Sequence, residues 1–208
     1  MADKVDKPKS IEDLRVLKQA ISADKEVRDR WIGVYIGVLA VLLALCTMGG
    51  GNATKDATRY NIEAANTWAF FQAKNLRRVQ VRLMADNLEL QLGAMPTAPD
   101  TIRQAFAAKL QSYHDLDKEL TTNPKTNEGL DELWTRAKAL ERDRDEALRR
   151  DPYFDWSQAG LQIAIVLASV CLITPNLLLL GMSGTLAAAG ALLLLNGFTL
   201  AVNVPFIG

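Results

Sequence analysis

The chain offers few side chains whose type and spacing suit catalysis or metal binding. His114 is the only histidine, and it lies in a charged segment close to Asp115 and Asp117. A zinc site needs three or four ligands, so we interpret this single histidine as a solvated or structural residue. The two cysteines, Cys46 and Cys171, both lie inside apolar runs and are interpreted as small apolar side chains.

Short catalytic motifs are also missing from the sequence. It contains no Gly-x-Ser-x-Gly, no phosphate-binding loop and no Cys-x-x-Cys. The run Gly49-Gly50-Gly51 lacks the lysine and hydroxyl residue of a phosphate loop, and we expect it to act as a hinge. We therefore predict a protein that is not an enzyme and has no catalytic residue, metal or cofactor.

The residues that suggest a specific role are small ones at helical spacing inside apolar runs. Gly33 and Gly37 form a small-x-x-x-small pair, which lets two membrane helices approach closely. Gly160, Ala164 and Ala168 repeat this spacing later in the chain. The apolar runs hold no ionisable side chain, which argues against a proton relay or a path for charged ions. We interpret all five residues as helix-packing contacts within a membrane.

Three apolar segments would position these small residues. A hydrocarbon core about 30 Å thick requires roughly 20 apolar helical residues. We predict transmembrane helices at residues 31–50, 156–174 and 183–203, with the loop Pro175–Met182 between the last two. A re-entrant third segment is the alternative. Because the runs lack the alternation of barrel strands, the predicted class is an all-α integral membrane protein.

A charged segment, residues 51–155, separates the first two predicted spans. Residues 55–92 contain neither Gly nor Pro, which permits one continuous helix. Apolar residues recur along it every seven positions, the spacing of a coiled coil: Ile62, Ala69, Leu76, Leu83 and Leu90. We expect this seven-residue stripe to be buried, so that Leu76→Asp or Leu83→Asp destabilises the fold by several kcal/mol.

A second apolar stripe lies on a neighbouring face of the same helix. Its residues are Ala64, Trp68, Phe71, Val81, Met84, Leu88 and Leu92. A single hairpin covers only one face of a helix. We therefore expect the second stripe to contact another subunit or a third helix of the same chain.

Two shorter helices are predicted after the long one. The first is expected to have Asp100 as its N-cap, and the second to begin near Thr126 or Asn127. Asp151-Pro152 is expected to end the second just before the membrane. Because the chain must return to the face it left, we expect the two helices to pack in series against the long one. The predicted domain is an antiparallel helical hairpin, a coiled-coil-like stalk.

The first thirty residues are polar, and they are too many for the short basic region of a signal peptide. Ser10 and Asp13 resemble a capping box opening a short amphipathic helix, which is expected to be solvated or to lie on lipid or on a partner. Residues 11–30 carry five basic residues, whereas residues 51–70 carry only Lys55 and Arg59. The positive-inside rule then predicts a cytoplasmic N-terminus and a periplasmic stalk. Four arginines before the second span favour the reverse orientation: Arg142, Arg144, Arg149 and Arg150.

Three strings in this order resemble a family of bacterial membrane proteins known as domain of unknown function 4337. They are Trp68-Ala69-Phe70-Phe71-Gln72-Ala73-Lys74, then Gln162-Ile163-Ala164-Ile165-Val166-Leu167-Ala168-Ser169, then Asn196-Gly197-Phe198. The similarity covers about residues 28–203. The resemblance implies a multi-pass protein of the bacterial inner membrane with this order of spans, and it implies no particular chemistry.

Two classes of function remain for such a protein. The first is a scaffold or accessory subunit that self-associates or joins a larger membrane complex. The second is an oligomeric pore or transport component, in which Asn196 and Thr199 face a lumen. The expected partners are the lipid bilayer and other protein subunits, and a net charge of +0 gives no support for nucleic acid. The predicted interaction residues are Gly33, Gly37, Trp68, Phe71, Leu76, Leu83, Gly160, Ala164 and Ala168.

Overall fold

A computed structural model describes residues 11–205, and these residues form four α-helices. They are α1 (Ile11–Ala94), α2 (Asp100–Thr121), α3 (Leu130–Ile173) and α4 (Leu177–Thr199). Helices α1, α3 and α4 are long and apolar enough to cross a membrane, which confirms the all-α class and indicates a membrane protein. Ser10, the residue expected to cap the first helix, lies outside the described residues.

The chain divides into two units. Among the described residues, the apolar unit contains residues 11–53 and 149–205, and the charged unit contains Thr54–Leu148. Helices α1 and α3 each contribute residues to both units.

The three residues expected to act as a hinge, Gly49-Gly50-Gly51, lie inside α1, which is helical through all of them. Gly49 and Gly50 instead contact Phe154, as described below. A glycine in a helix removes a side chain from one face, and here that absence makes room for an aromatic ring. The packing role of Gly49 and Gly50 was not predicted, because a glycine that serves packing and one that serves flexibility look alike in a sequence.

The end expected at Asp151-Pro152 is also wrong, since Pro152 lies inside α3. A proline within a helix removes one backbone hydrogen bond and costs about 3 kcal/mol. The two residues that follow it, Tyr153 and Phe154, are 1% and 2% exposed. Their burial offsets the cost, so the helix continues from the charged unit into the apolar unit.

The last helix begins six residues before the expected position, at Leu177 rather than residue 183. The Asn176 side chain accepts a hydrogen bond from the backbone N–H of Leu178 at 3.0 Å, which caps the helix and shortens the predicted loop. The helix ends at Thr199, where Leu200 adopts a left-handed conformation with φ 48°. Its N–H bonds to the carbonyl of Asn196 at 2.7 Å.

In the charged unit, α2 and the first part of α3 pack in series against α1, as the sequence predicted. Asp117 of α2 meets Arg78 and Arg82, whereas Glu141 of α3 meets Trp68, which lies earlier in α1. The residue numbers run in opposite directions on the facing helices. The packing is therefore antiparallel.

The connections in this unit differ from the prediction in detail. The N-cap of α2 is Pro99, without a side-chain hydrogen bond, and Asp100 is the first helical residue rather than the cap. Helix α3 begins at Leu130, later than expected, because Asn127 has φ 55° and interrupts the helical path. A Cβ atom at Gly129 would lie 2.7 Å from the Cα of Thr122, so this turn requires glycine.

The seven-residue stripe is not the buried seam, which overturns our expectation for Leu76 and Leu83. These side chains are 61% and 62% exposed. The fully buried residues of α1 in this unit are instead mostly small: Ala57, Ala64, Thr67, Val81 and Ala85. Small side chains allow helix axes to approach more closely than leucines do, so they form the better contact with the neighbouring helices.

The second stripe is the one that packs within the chain. Ala64 and Val81 are buried, and Trp68, Phe71, Leu88 and Leu92 are partly buried. Met84 departs from the pattern, since it is 54% exposed. The second stripe was expected to contact either another subunit or a third helix of the same chain. Its burial within the chain agrees with the second expectation.

Candidate functional site

Two buried serines join α3 to α4 in the apolar unit. Ser157 Oγ donates to the carbonyl of Gly190 at 2.6 Å, and Ser183 Oγ donates to the carbonyl of Ala164 at 2.7 Å. Both serines are fully buried. Each bond joins one helix to the backbone of the other, which is the use that membrane helices commonly make of serine.

Helix α1 adds a polar side chain to each serine. Tyr35 Oη lies 3.1 Å from Ser183 Oγ, and Cys46 Sγ lies 3.0 Å from Ser157 Oγ. Each serine already gives its one proton to a carbonyl, so Tyr35 and Cys46 are the donors to the serine oxygens. Two separate chains of hydrogen bonds thus connect the three helices. Cys46 has a bonding role here, beyond that of the small apolar residue the sequence suggested.

The predicted small residues of α3 lie at this helix contact. Ala164 and Ala168 are fully buried. A Cβ atom at Gly160 would lie 3.7 Å from the carbonyl oxygen of Leu186 and 3.9 Å from the Cα of Gly190. These small residues therefore allow α3 and α4 to pack closely.

Gly33 and Gly37 have a different environment. A Cβ atom added at either position would meet nothing within 4 Å, and both residues are exposed. The packing inside the described chain does not use this pair. Its role as a contact site remains a prediction about other subunits.

Phe154 packs against glycines of α1 and α4, a contact that was not predicted from the sequence. Its ring would lie 2.5 Å from a Cβ atom at Gly49 and 3.0 Å from one at Gly197. The ring of Phe198 meets it edge to face, with centroids 5.0 Å apart. Gly49 and Gly197 are the sequence features that could have indicated this contact. They can be recognised as such only when it is known which helices pack together.

The segment after α4 is held by side chains of the same unit. The Asn196 amide donates to the carbonyl of Val202 at 2.7 Å and accepts from the Val202 N–H at 2.9 Å. Tyr153 Oη donates to the same carbonyl at 3.3 Å and accepts from the Val204 N–H at 3.1 Å. Polar backbone groups beyond the helix end are thereby satisfied.

Asp117 is the main electrostatic contact of the charged unit. Its carboxylate accepts hydrogen bonds from Arg82 Nε at 2.8 Å and from Arg78 Nε at 3.0 Å. The hydrogen bond from Arg82, followed by that from Arg78, holds the pKa of Asp117 below its ordinary value despite partial burial. This charged group therefore joins α2 to α1.

A second polar contact joins α3 to α1. Trp68 Nε1 donates to Glu141 Oε1 at 2.8 Å, while Lys138 Nζ donates to the other carboxylate oxygen at 2.8 Å. Lys138 and then Trp68 lower the pKa of Glu141. The Trp68 ring meets Phe71 edge to face at 5.4 Å, so these two predicted interaction residues contact each other.

His114 is exposed, as predicted for a solvated residue. Its Nε2 lies 3.9 Å from Glu89 Oε1. Among residues 11–205, no group of three or more His, Cys, Asp or Glu side chains is arranged to hold a metal ion.

The seven-residue stripe remains open on the outer face of the charged unit. Four of its side chains are large, and each is more than half exposed: Ile62 (55%), Leu76 (61%), Leu83 (62%) and Leu90 (75%). The adjacent row of α1, composed of Asn66, Ala73, Gln80 and Asn87, is also exposed and carries no charge. A solvated helix face normally carries charged side chains, so this face is the candidate functional site of the described chain.

Comparison with known proteins gives one match. The model of a family described as a domain of unknown function, DUF4337, matches residues 28–200. No curated protein and no solved structure matches the chain.

Proposed function

This chain belongs to the DUF4337 family, and from that premise and the contacts above we propose that it is a non-enzymatic membrane scaffold or accessory subunit. It self-associates or joins a larger membrane complex. The observation that carries the proposal is the exposed seven-residue stripe of α1, whose large side chains are Ile62, Leu76, Leu83 and Leu90. A row of large apolar side chains exposed along one helix face favours a contact with another protein.

The proposed setting is the inner membrane of a bacterium, with the N-terminus in the cytoplasm. The three candidate spans anchor the chain, and the charged unit forms a periplasmic stalk. The excess of basic residues before the first span supports this orientation.

An oligomeric pore is the alternative, and two contacts make it the weaker one. The polar residues that would line a lumen are Asn196 and Thr199. The Asn196 amide is bonded to Val202, and the Thr199 hydroxyl donates to the carbonyl of Leu195 at 2.9 Å. Side chains whose polar groups are already bonded within their own chain are poor candidates for binding a passing solute.

Native mass measurement of detergent-extracted protein tests the proposal. We expect particles at multiples of 22.9 kDa, or a larger defined complex that contains this chain. A monomer that co-purifies with no protein would contradict the proposal. Crosslinking in native membranes separates the two forms, since self-assembly gives a ladder with equal steps and a larger complex gives an adduct of another mass.

Gly33 and Gly37 provide a variant for the same experiment. Replacing both with Leu should weaken assembly, because the added side chains prevent close approach by another helix. Val34→Leu with Val38→Leu is the matched control, since both valines are exposed and already carry side chains. Equal assembly of the two double variants would exclude the glycine pair as a contact.

A further inference from the structure

We infer that the partner of the seven-residue stripe is a second copy of this chain, and that the two α1 helices pair parallel and in register through it. The inference rests on the proposed function and names the partner of the same surface. The period and the charge pattern of the stripe support the pairing, and the shared membrane determines the relative direction of the two helices.

The period matches a partner of the same kind. From Ile62 to Leu90 the apolar residues repeat every seven positions, and this span covers about 42 Å at 1.5 Å per residue. One of the two seam positions of a coiled coil is thus apolar in every heptad, and Ala65 and Val79 add two apolar residues at the other position. A stripe with this spacing is complementary to itself, because identical positions meet across the axis of a parallel pair.

The charge pattern permits contact between identical surfaces. In the heptad that starts at Ile62, the companion seam positions are Ala65, Gln72, Val79 and Asp86. Asp86 is the single charged residue among the nine seam positions. Identical surfaces repel each other when they carry many like charges, and this one carries a single charge. Gln72 can pair with the same amide of the other copy, and a polar residue inside a seam fixes the register.

The direction follows from the membrane. Copies inserted into one bilayer in the same orientation have parallel α1 helices. An antiparallel pair centred on Leu76 would place Ile62 opposite Leu90, whereas a parallel pair places each of them opposite itself. The two arrangements therefore predict different disulfides between single cysteines.

Single cysteines in the full chain test the inference in native membranes. The background carries Cys46→Ser and Cys171→Ser, and Leu83→Cys or Leu90→Cys is then oxidised with a mild copper catalyst. We expect a disulfide-linked dimer for each. The control is Arg77→Cys, which is exposed but lies outside the seam. We expect it to give about tenfold less dimer, since Cα atoms more than about 7 Å apart cannot be bridged.

Two results would overturn the inference. One is equal dimer yield for Leu90→Cys and Arg77→Cys. The other is a disulfide between co-expressed Ile62→Cys and Leu90→Cys chains without any dimer of Leu90→Cys alone, which would indicate antiparallel pairing. If either occurs while native mass still shows an assembly, the proposed function stands and only this contact fails. A protein that is monomeric in both experiments contradicts both.

Discussion

At the scale of single residues, Asp117 shows how the charged unit is held together. It accepts one hydrogen bond from Arg78 and two from Arg82 on the facing helix. The arginines lie one turn apart, so both can reach the same carboxylate. Three charge-assisted bonds from one helix fix the position of α2 along α1 more closely than apolar contacts alone.

This contact predicts a dependence on pH. The pKa of Asp117 is lower in the folded state, so its contribution to stability is complete above the unfolded pKa of about 4 and is lost as pH falls through the folded value. Asp117→Asn should cost about 1 kcal/mol at neutral pH, since the site is partly solvated. It should also flatten the decrease in melting temperature below about pH 4.

Asp115→Asn is the charge-matched control for that experiment. The Asp115 carboxylate accepts its hydrogen bond from Gln111 of the same helix, so the variant leaves the contact between helices intact. Melting is followed by circular dichroism from pH 7 to pH 2. The same acid profile for Asp117→Asn and the parent protein would contradict our assignment.

Gly49 gives a second prediction at this scale. Gly49→Ala would place a methyl group 2.5 Å from the Phe154 ring and should destabilise the protein by about 1–3 kcal/mol through overpacking. Gly51→Ala is the control, because a Cβ atom there meets nothing within 4 Å and alanine favours the helix. Thermal melting in detergent compares them. A hinge role would instead make both substitutions similar.

At the scale of helices, the segments that are helical were predicted well from the sequence. The faces of those helices that are buried were predicted less well. Breaks at Pro99, Pro124 and Pro175 were recognisable, because proline and its polar neighbours interrupt helices locally. The buried face of α1 was assigned to the wrong stripe, because the choice depends on helix separation. Ala64 and Ala85 permit a close approach that Leu76 and Leu83 do not, and a periodicity count does not contain that information.

The serine contacts between helices were not predicted either, because the bonded residues are far apart in the sequence. Ser157 and Gly190 are 33 residues apart, and Cys46 and Ser157 are 111 apart. Single serines in an apolar run suggest a polar contact but do not identify its partner. Only the paired helices show that each hydroxyl faces a carbonyl.

The two faces of α1 can be separated by a matched pair of substitutions. Val81 is 6% exposed and Leu83 is 62% exposed, although they are two residues apart. Val81→Asp should unfold the charged unit or destabilise it by several kcal/mol, because it buries an unpaired charge. Leu83→Asp should leave its melting temperature nearly unchanged and weaken assembly. Equal destabilisation by the two variants would place the stripe back in the core.

The serine contacts give a prediction for the apolar unit. Ser183→Ala removes the bonds to Tyr35 and Ala164 and should cost about 0.6–1.7 kcal/mol, the range for membrane hydrogen bonds. Ser169→Ala is the control, since Ser169 donates to the carbonyl of Ile165 in its own helix. Unfolding of both variants in mixed detergent gives the comparison. A smaller effect at Ser183 than at Ser169 would show that the contact between helices contributes little.

At the scale of the whole molecule, the orientation in the membrane is directly testable. In cysteine-free protein, single cysteines at Ser112 and at Ser10 should react differently with a maleimide that cannot cross the membrane. Applied from outside, it should label only the Ser112 position in the charged unit. Labelling only at Ser10 would reverse the proposed topology.

Asp86 provides a test of assembly. In the proposed parallel pair its carboxylate faces the Asp86 carboxylate of the other copy, and the repulsion between these like charges opposes association. Asp86→Asn should therefore increase the dimer fraction several-fold. The increase should shrink at high salt, where the repulsion in the parent protein is screened. A dimer fraction that falls in Asp86→Asn would place this residue outside the seam.

The two serine contacts also set an order of events in time. Ser157 and Ser183 complete their bonds to Gly190 and Ala164 within α3 and α4, which emerge from the ribosome close together. Tyr35 and Cys46 are synthesised much earlier, and the 111 residues from Cys46 to Ser157 take on the order of 10 s at about 5–20 residues per second. During that interval the first helix has neither polar partner. Synthesis of this chain therefore includes a period in which Tyr35 and Cys46 have not yet met the serines that accept their hydrogen bonds.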